Sequence, residues 1–248
     1  MAIDKTYLSL VKSVLDQRDP ATVGSNMTRA VCLSYPDLLV SEKDLVELFG
    51  DGIVSNLEIR KDDQMVRRLH SLPDNFGNIF LIESLFEQLQ VQFDFIDIKK
   101  LQGPEEIVDL NEPLPPKYIE SYGLVIDTGT LEHCFKVGTA FRSMCEMTAH
   151  GGVVISNAPL SLVNHGFWNF CPTAYFDCFD QNGFTLQFLQ AVYKNADEVK
   201  MFDMLSTSTE RRRISPEASV MCIAQRTSIQ QFKWPVQTKY KAMLSAKF

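Results

Sequence analysis

Apolar residues at Tyr7, Leu8, Leu10, Val11, Val14 and Leu15 fall on one face at helical spacing. The run stops near Arg18-Asp19-Pro20, because proline lacks the N–H that a continuing helix needs. A turn-rich gap through Gly24-Ser25-Asn26 follows. Tyr35-Pro36-Asp37-Leu38-Leu39-Val40 then leads into Ser41-Glu42-Lys43-Asp44, where Ser41 can cap a helix and Asp44 favours its positive end; Gly50 should end that helix after Phe49. These two helices predict an N-terminal helical extension or lid over residues 1–60, which would exclude water from a site beneath it.

From Leu85 onward short apolar runs alternate with helical stretches, the pattern of an α/β sheet of mostly parallel strands. Strands are expected at Phe93–Ile98, Gly123–Asp127, Gly152–Ser156, Val199–Leu205 and Ser219–Gln225, and helices at Ile79–Gln90, Val137–Thr148 and Pro172–Asp180. Residues 61–248 therefore read as one α/β domain. Ligands of such sheets sit outside the carboxyl ends of the strands, so the residues that follow each strand carry the candidate chemistry.

Composition narrows the classes. The 248 residues hold 24 Lys+Arg against 31 Asp+Glu, a net charge of −7, with no run of like charges that would mark a nucleic-acid surface. No apolar stretch approaches the ~20 residues that cross a bilayer, and the first segment carries Asp4, Lys5, Lys12, Asp16, Arg18 and Asp19; a cytoplasmic protein with no membrane or nucleic-acid partner is expected. The six cysteines form no C-x-x-C pair and sit in strings such as Val31-Cys32-Leu33 and Met221-Cys222-Ile223, as buried thiols do. His133-Cys134, neighbours in sequence, are poor partners for one ion, so no metal is expected. Gly-x-Ser-x-Gly, Gly-x-x-x-x-Gly-Lys-Ser/Thr and His-Glu-x-x-His are all absent, which disfavours hydrolases and NTPases.

Asp97 closes the first of these strands, where a carboxylate can accept two hydrogen bonds from a ribose diol or simply face solvent in a turn. Val108-Asp109-Leu110-Asn111-Glu112-Pro113 follows, then Leu124-Val125-Ile126-Asp127-Thr128-Gly129-Thr130-Leu131-Glu132-His133, and after a helix His150-Gly151-Gly152-Val153-Val154-Ile155-Ser156. In this order the chain resembles the class I S-adenosylmethionine-dependent methyltransferases over roughly Phe76 to Phe184, most specifically from Leu124 to Pro159. A second block, Asn164-His165-Gly166-Phe167-Trp168 with Pro172-Thr173, is similar to a bacterial subset of that family associated with glycan or secondary-metabolite pathways. The resemblance implies a Rossmann-like α/β sandwich, closed by an antiparallel final pair near Val199–Leu205 and Ser219–Gln225. It implies S-adenosyl-L-methionine as cofactor, S-adenosyl-L-homocysteine as product, and cofactor contacts from Asp97, Asp109, Leu110, Asn111, Asp127, Thr128, Gly129 and Glu132. The family's glycine-rich turn after the first strand has no counterpart here. Its positional equivalent is read as Asp74-Asn75-Phe76-Gly77-Asn78, where Asn75 and Gly77 would meet the cofactor or Asp74 or Asn75 would cap the next helix.

Methyl transfer to a hydroxyl needs the acceptor held in line and a base. His165 is the candidate base, its alternative being a bond that fixes its own loop; His133 borders the donor methyl or packs at a helix start, and Glu132 can orient N–H groups there. His70 and His150 read as surface residues. Phe167, Trp168, Phe170, Tyr175 and Phe176 form an aromatic set that is either core or a substrate wall, and Asn164, Trp168 and Tyr175 are the substrate-binding candidates. Arg211-Arg212-Arg213 is either solvated or a contact for an anionic substrate. The expected activity is methylation of a hydroxyl, or less favourably an amine, of a small molecule such as a sugar or sugar phosphate; the alternative is a scaffold module with a degenerate cofactor site. The tail from Lys233 to Phe248 should dock on the body or on a second subunit, which leaves a homodimer open.

Overall fold

The computed structural model describes residues 1–17, 28–195, 198–203 and 217–245. In chain order its elements are β1 (Ala2–Asp4), α1 (Lys5–Asp16), β2 (Arg29–Leu33), β3 (Asp37–Leu39), α2 (Glu42–Phe49), α3 (Asp63–Leu69), α4 (Ile82–Gln88), β4 (Gln92–Asp97) and β5 (Glu106–Ile107). There follow β6 (Tyr122–Asp127), α5 (Val137–Met147), β7 (Thr148–Pro159), α6 (Pro172–Gln181), β8 (Phe184–Asn195), β9 (Glu198–Asp203), β10 (Ala218–Arg226) and α7 (Thr238–Ser245). Among the described residues no helix is long and apolar enough to cross a membrane.

An eight-stranded sheet in the order β5-β4-β2-β6-β7-β10-β8-β9 forms the middle layer of a Rossmann-like α/β sandwich. The strands from β5 to β7 run parallel, and β10, β8 and β9 are each antiparallel to their neighbours. The expected final pair is thus a trio: β8 lies between the strands read at Val199–Leu205 and Ser219–Gln225. Met204 and Leu205, the stop at Arg18-Asp19-Pro20, the gap Gly24-Ser25-Asn26 and the Arg211–Arg213 run lie outside the described residues.

The first 60 residues are not a helical extension. β2 sits between β4 and β6, hydrogen-bonded to both, and Ala30, Val31, Cys32 and Leu33 have no exposure at all. With both faces covered, such a strand has no alternation of apolar and polar positions to betray it. α1 is likewise a layer of the sandwich rather than a lid: Tyr7, Leu8 and Val11 join Cys32, Ile126 and Ile155 in one core, while Val31, Val125 and Val154 on the opposite face pack with Met144 and Phe179. The Asp4 side chain caps α1 by accepting the Tyr7 N–H at 2.9 Å, and Ser41 caps α2 by accepting that of Asp44 at 3.2 Å, with Gly50 at its end as expected.

The tail docks on the body. Asn182 accepts the Lys233 N–H at 2.7 Å, Asp177 accepts that of Thr238 at 3.1 Å, and Trp234 lies so close over Gly138 that a Cβ there would come within 2.9 Å of the indole.

The buried Tyr7 hydroxyl reaches from α1 to two strands, lying 2.8 Å from the Ile155 carbonyl and 3.1 Å from that of Asp127. Tyr7→Phe should therefore lower unfolding free energy by about 1–2 kcal/mol, since it removes the buried hydroxyl that both carbonyls meet. Urea melts read by tryptophan fluorescence check this; an unchanged midpoint would mean that the hydroxyl contributes nothing.

Candidate functional site

The carboxyl ends of β2, β4, β6 and β7 meet along one rim of the sheet. After β2, Ser34 adopts φ +97, the region that favours glycine. Its N–H donates to the Ile96 carbonyl at 2.7 Å, Pro36 has no N–H, and the Asp37 N–H donates to the Met1 carbonyl at 3.1 Å where β3 pairs with β1. Two of the backbone donors at this turn, those of Ser34 and Asp37, are thus consumed by the fold. This is also the turn that follows the first strand of the parallel set, so the assignment of that place to Asp74–Asn78 is corrected. Asp74, Asn75, Gly77 and Asn78 are exposed, the Gly77 carbonyl accepts from Arg67, and Asn78 donates to Glu42 at 2.9 Å. Neither Asp74 nor Asn75 caps α4, whose N-cap is Leu81. Beside the turn lies a cluster that the sequence does not announce: Asp37 receives Arg60 Nη1 at 2.5 Å and faces His70 Nε2 at 2.8 Å, so His70 is not a bare surface residue. Only tertiary structure joins residues 23 and 33 positions apart.

Asp97 ends β4 half-buried, its Oδ1 meeting the Lys99 N–H at a long 3.4 Å, which leaves the carboxylate available to a ligand. The loop behind it is fastened by Glu105, which accepts the N–H groups of Leu101, Gln102 and Gly103 at 3.2, 2.8 and 2.7 Å. Burial works to raise the Glu105 pKa, but these backbone donors outweigh it and hold the carboxyl below its usual range. After β5, Asp109 accepts the Asn111 backbone N–H at 2.8 Å, and Asn111 accepts the Lys136 N–H at 2.8 Å, tying this loop to the start of α5; Leu110 is buried beneath it.

At the end of β6 two carboxyls are buried together. Asp127 has no exposure; it accepts the N–H groups of Gly129 (3.2 Å) and Thr130 (2.8 Å) and the Ser156 hydroxyl (2.6 Å), which in turn contacts the Tyr175 hydroxyl at 3.0 Å. Its oxygens are committed to the scaffold. Thr128 beside it is buried, with a hydroxyl that has no partner among the described residues. Glu132 is 1% exposed in the turn Leu131–His133, and both of its carboxyl oxygens lack a hydrogen-bond partner among the described residues. Burial first, and the Asp127 charge second, push Glu132 up to about 8. Burial also raises Asp127, where the Ser156 hydroxyl and backbone N–H groups act against it.

Two glycines close on Glu132. Gly129, at φ +104, would place a Cβ 3.0 Å from Glu132 Oε1, and Gly166 would place one 2.8 Å from Glu132 Cγ. The Phe167 N–H donates to the Glu132 carbonyl at 2.8 Å, which seats the loop after β7 on this turn. His165 Nε2 then lies 3.3 Å from Glu132 Oε1, without the alignment of a hydrogen bond, and the rings of His133 and His165 stand 5.7 Å apart. Burial, then the neighbouring His165, lowers the His133 pKa. Asn164 takes φ +61 at the exposed turn before His165; His150 is also exposed.

The aromatic candidates separate. Trp168 is 39% exposed, donates to the Cys134 carbonyl at 3.1 Å, and with Phe135 and exposed Phe167 forms a rim beside His165. Tyr175 has no exposure and packs on Phe141 and Phe170; it supports the site from below rather than lining it. Next to the rim a cavity of about 480 Å³ is walled by Val137, Phe141, Trp168, Phe170, Phe232 and Trp234. No Lys or Arg stands among the described residues that line it.

No family model matches the chain, and no curated protein does. Solved structures do. The carbon-methyltransferase domain of the citrinin polyketide synthase aligns with 91% of this chain at 11% identity and a TM-score of 0.45, and the CurJ carbon methyltransferase with 89% at 12% and 0.45. The chain spans about half of each, 52% and 54%. A SAM-dependent methyltransferase from Archaeoglobus fulgidus aligns over 87% of this chain and 93% of its own at 12% identity and a TM-score of 0.42. Likeness at this level carries no chemistry, which has to come from the site.

Glu105 gives the site a pH signature. A free Glu titrates near ~4.3, and this one titrates lower when folded, so the stability it supplies is complete above that value and fades as pH falls through the folded pKa. Glu105→Gln should cost about 1–2 kcal/mol at neutral pH and progressively less in acid. Urea melts at a series of pH values check this, and a cost independent of pH would remove the carboxylate from the loop's support.

Proposed function

We propose that the chain transfers a methyl group from S-adenosylmethionine to a hydroxyl of a small molecule. The observation that carries this reading is the convergence of Glu132, His133 and His165 just beyond β6 and β7, on the rim that also presents the Asp97 carboxylate. The resemblance of the segment from Leu124 to Pro159 to class I methyltransferases supports it.

The residues present fit the adenosine end of the cofactor. Asp97 presents a half-buried carboxylate for a ribose diol, and the loop Asp109–Asn111 and the turn Asp127–Thr130 are each stapled by their own hydrogen bonds. At the methionine end the fold takes two of the backbone donors in the turn after β2, those of Ser34 and Asp37, which reduces the cradle there. When bound, this cofactor supplies an electrophilic methyl carbon on a sulfonium. His165 receives the acceptor's proton, with Glu132 Oε1 lying 3.3 Å from its Nε2. Phe135, Phe167 and Trp168 keep water from the transfer, and the neighbouring cavity takes the body of the acceptor. Its aromatic walls and lack of cations favour a hydroxylated acceptor with an apolar or aromatic portion over a sugar phosphate.

One observation favours a second reading, a binding or scaffold module on the same fold: the fold itself consumes the Ser34 and Asp37 donors. Turnover decides. In an acceptor screen followed by formation of S-adenosylhomocysteine, His165→Ala should lower the rate by ~10²-fold or more. Asp97→Ala should raise the KM for S-adenosylmethionine by ~10–100-fold with kcat little changed. A His165→Ala protein as fast as the parent would remove this residue from the chemistry, and no turnover with any acceptor would favour the scaffold.

A further inference from the structure

We propose that Glu132, His133 and His165 bind one divalent first-row transition-metal ion. One oxygen of Glu132 and one ring nitrogen of each histidine all lie within 4.8 Å of one another. An ion that takes ligands at about 2.0–2.2 Å draws such a set together by modest rotation of the two exposed rings. Glu132 cannot move in the same way, because Gly129 and Gly166 approach it too closely to admit even a methyl group between. The fixed ligand is thus the buried one, and the adjustable ligands face solvent, from which an ion arrives.

The second observation is the state of Glu132 itself. A carboxyl with 1% exposure whose oxygens find no well-aligned hydrogen-bond partner among the described residues is costly to keep. A cation supplies the missing partner. Lengthening of neither chain segment is required, since the Phe167 N–H already holds the His165 loop to the Glu132 backbone. Two imidazoles and one carboxylate suit Zn²⁺, Co²⁺ or Fe²⁺ better than Mg²⁺ or Ca²⁺, which favour all-oxygen sets. Three protein ligands leave a coordination position open, as in sites that bind water or substrate rather than in closed structural ones.

Sequence spacing argues against this site, because Glu132 and His133 are adjacent; the tight turn Leu131–His133 and the returning loop after β7 bring the third ligand to them. The binding does not rest on the methyl-transfer reading. If both hold, coordination acidifies an acceptor hydroxyl at the open position, its proton passes to solvent at the exposed rim, and His165 serves as ligand in the ion-bound enzyme.

The test is titration of chelator-treated full-length protein with Co²⁺ alone, read by its visible absorption, and with Zn²⁺ by competition. One ion per chain should bind, and Glu132→Gln, His133→Ala and His165→Ala should each weaken it by ~10-fold or more, whereas His150→Ala should not. Circular dichroism confirms that the Glu132→Gln protein is folded; the two histidine variants change exposed side chains and keep the test decisive if it is not. Absence of saturable binding at about 1 mM ion, or binding equally strong in all four variants, overturns the proposal. S-adenosylhomocysteine binding measured on the same samples separates the two readings: cofactor without metal sinks this inference alone, and metal without cofactor sinks only the methyl-transfer reading.

Discussion

The fully buried carboxylate of Asp127 is the point on which the site and the sandwich both depend. Its oxygens take two backbone N–H groups and the Ser156 hydroxyl, Ser156 meets Tyr175 from α6, and its carbonyl meets Tyr7 from α1. Helices from opposite faces of the sheet are thereby tied to one strand end. A buried charge survives only when its lone pairs are satisfied, and satisfying these fixes the turn that follows β6. That turn carries Glu132. With Asp127 claiming the Gly129, Thr130 and Ser156 donors, its neighbour lies buried under the two histidines with its pKa raised.

Much of this was legible in the residues, for physical reasons that can be named. β4, β6, β7 and β10 read as strands because turn residues bound their apolar runs, and α2 because Ser41 and Gly50 are a cap and a stop. β2 escaped because burial on both faces removes alternation, and with it went the correct place of the turn after the first strand. The rim residues Asp97, Glu132, His133 and His165 were legible from order along the chain. The burial of Asp127 and Tyr175 was not, since a carboxylate and a tyrosine read as ligand contacts when the hydroxyl they share, that of Ser156, lies 29 and 19 residues away. The pairing of Asp37 with Arg60 and His70 was invisible for the same reason.

The two halves of the rim differ in character. On the side of β2 part of the backbone is spent: the Ser34 N–H goes to Ile96, and that of Asp37 goes to Met1 where β1 pairs with β3. Toward β6 and β7 polar groups remain unspent, including both Glu132 oxygens and the Thr128 hydroxyl, and an aromatic cavity adjoins them. Chemistry that needs a positioned acceptor and a place for its proton is therefore better provided for than tight capture of an amino acid. This asymmetry predicts a cofactor site whose affinity comes mainly from the adenosine side.

Calorimetric titration of the unmodified protein with S-adenosylhomocysteine tests that account most directly, because it needs no acceptor. The geometry at Asp97 and the stapled loop predicts one site per chain with a dissociation constant of about 1–100 μM. No heat of binding up to millimolar ligand would contradict it, and would make the rim of this sheet a site for something other than a methyl donor.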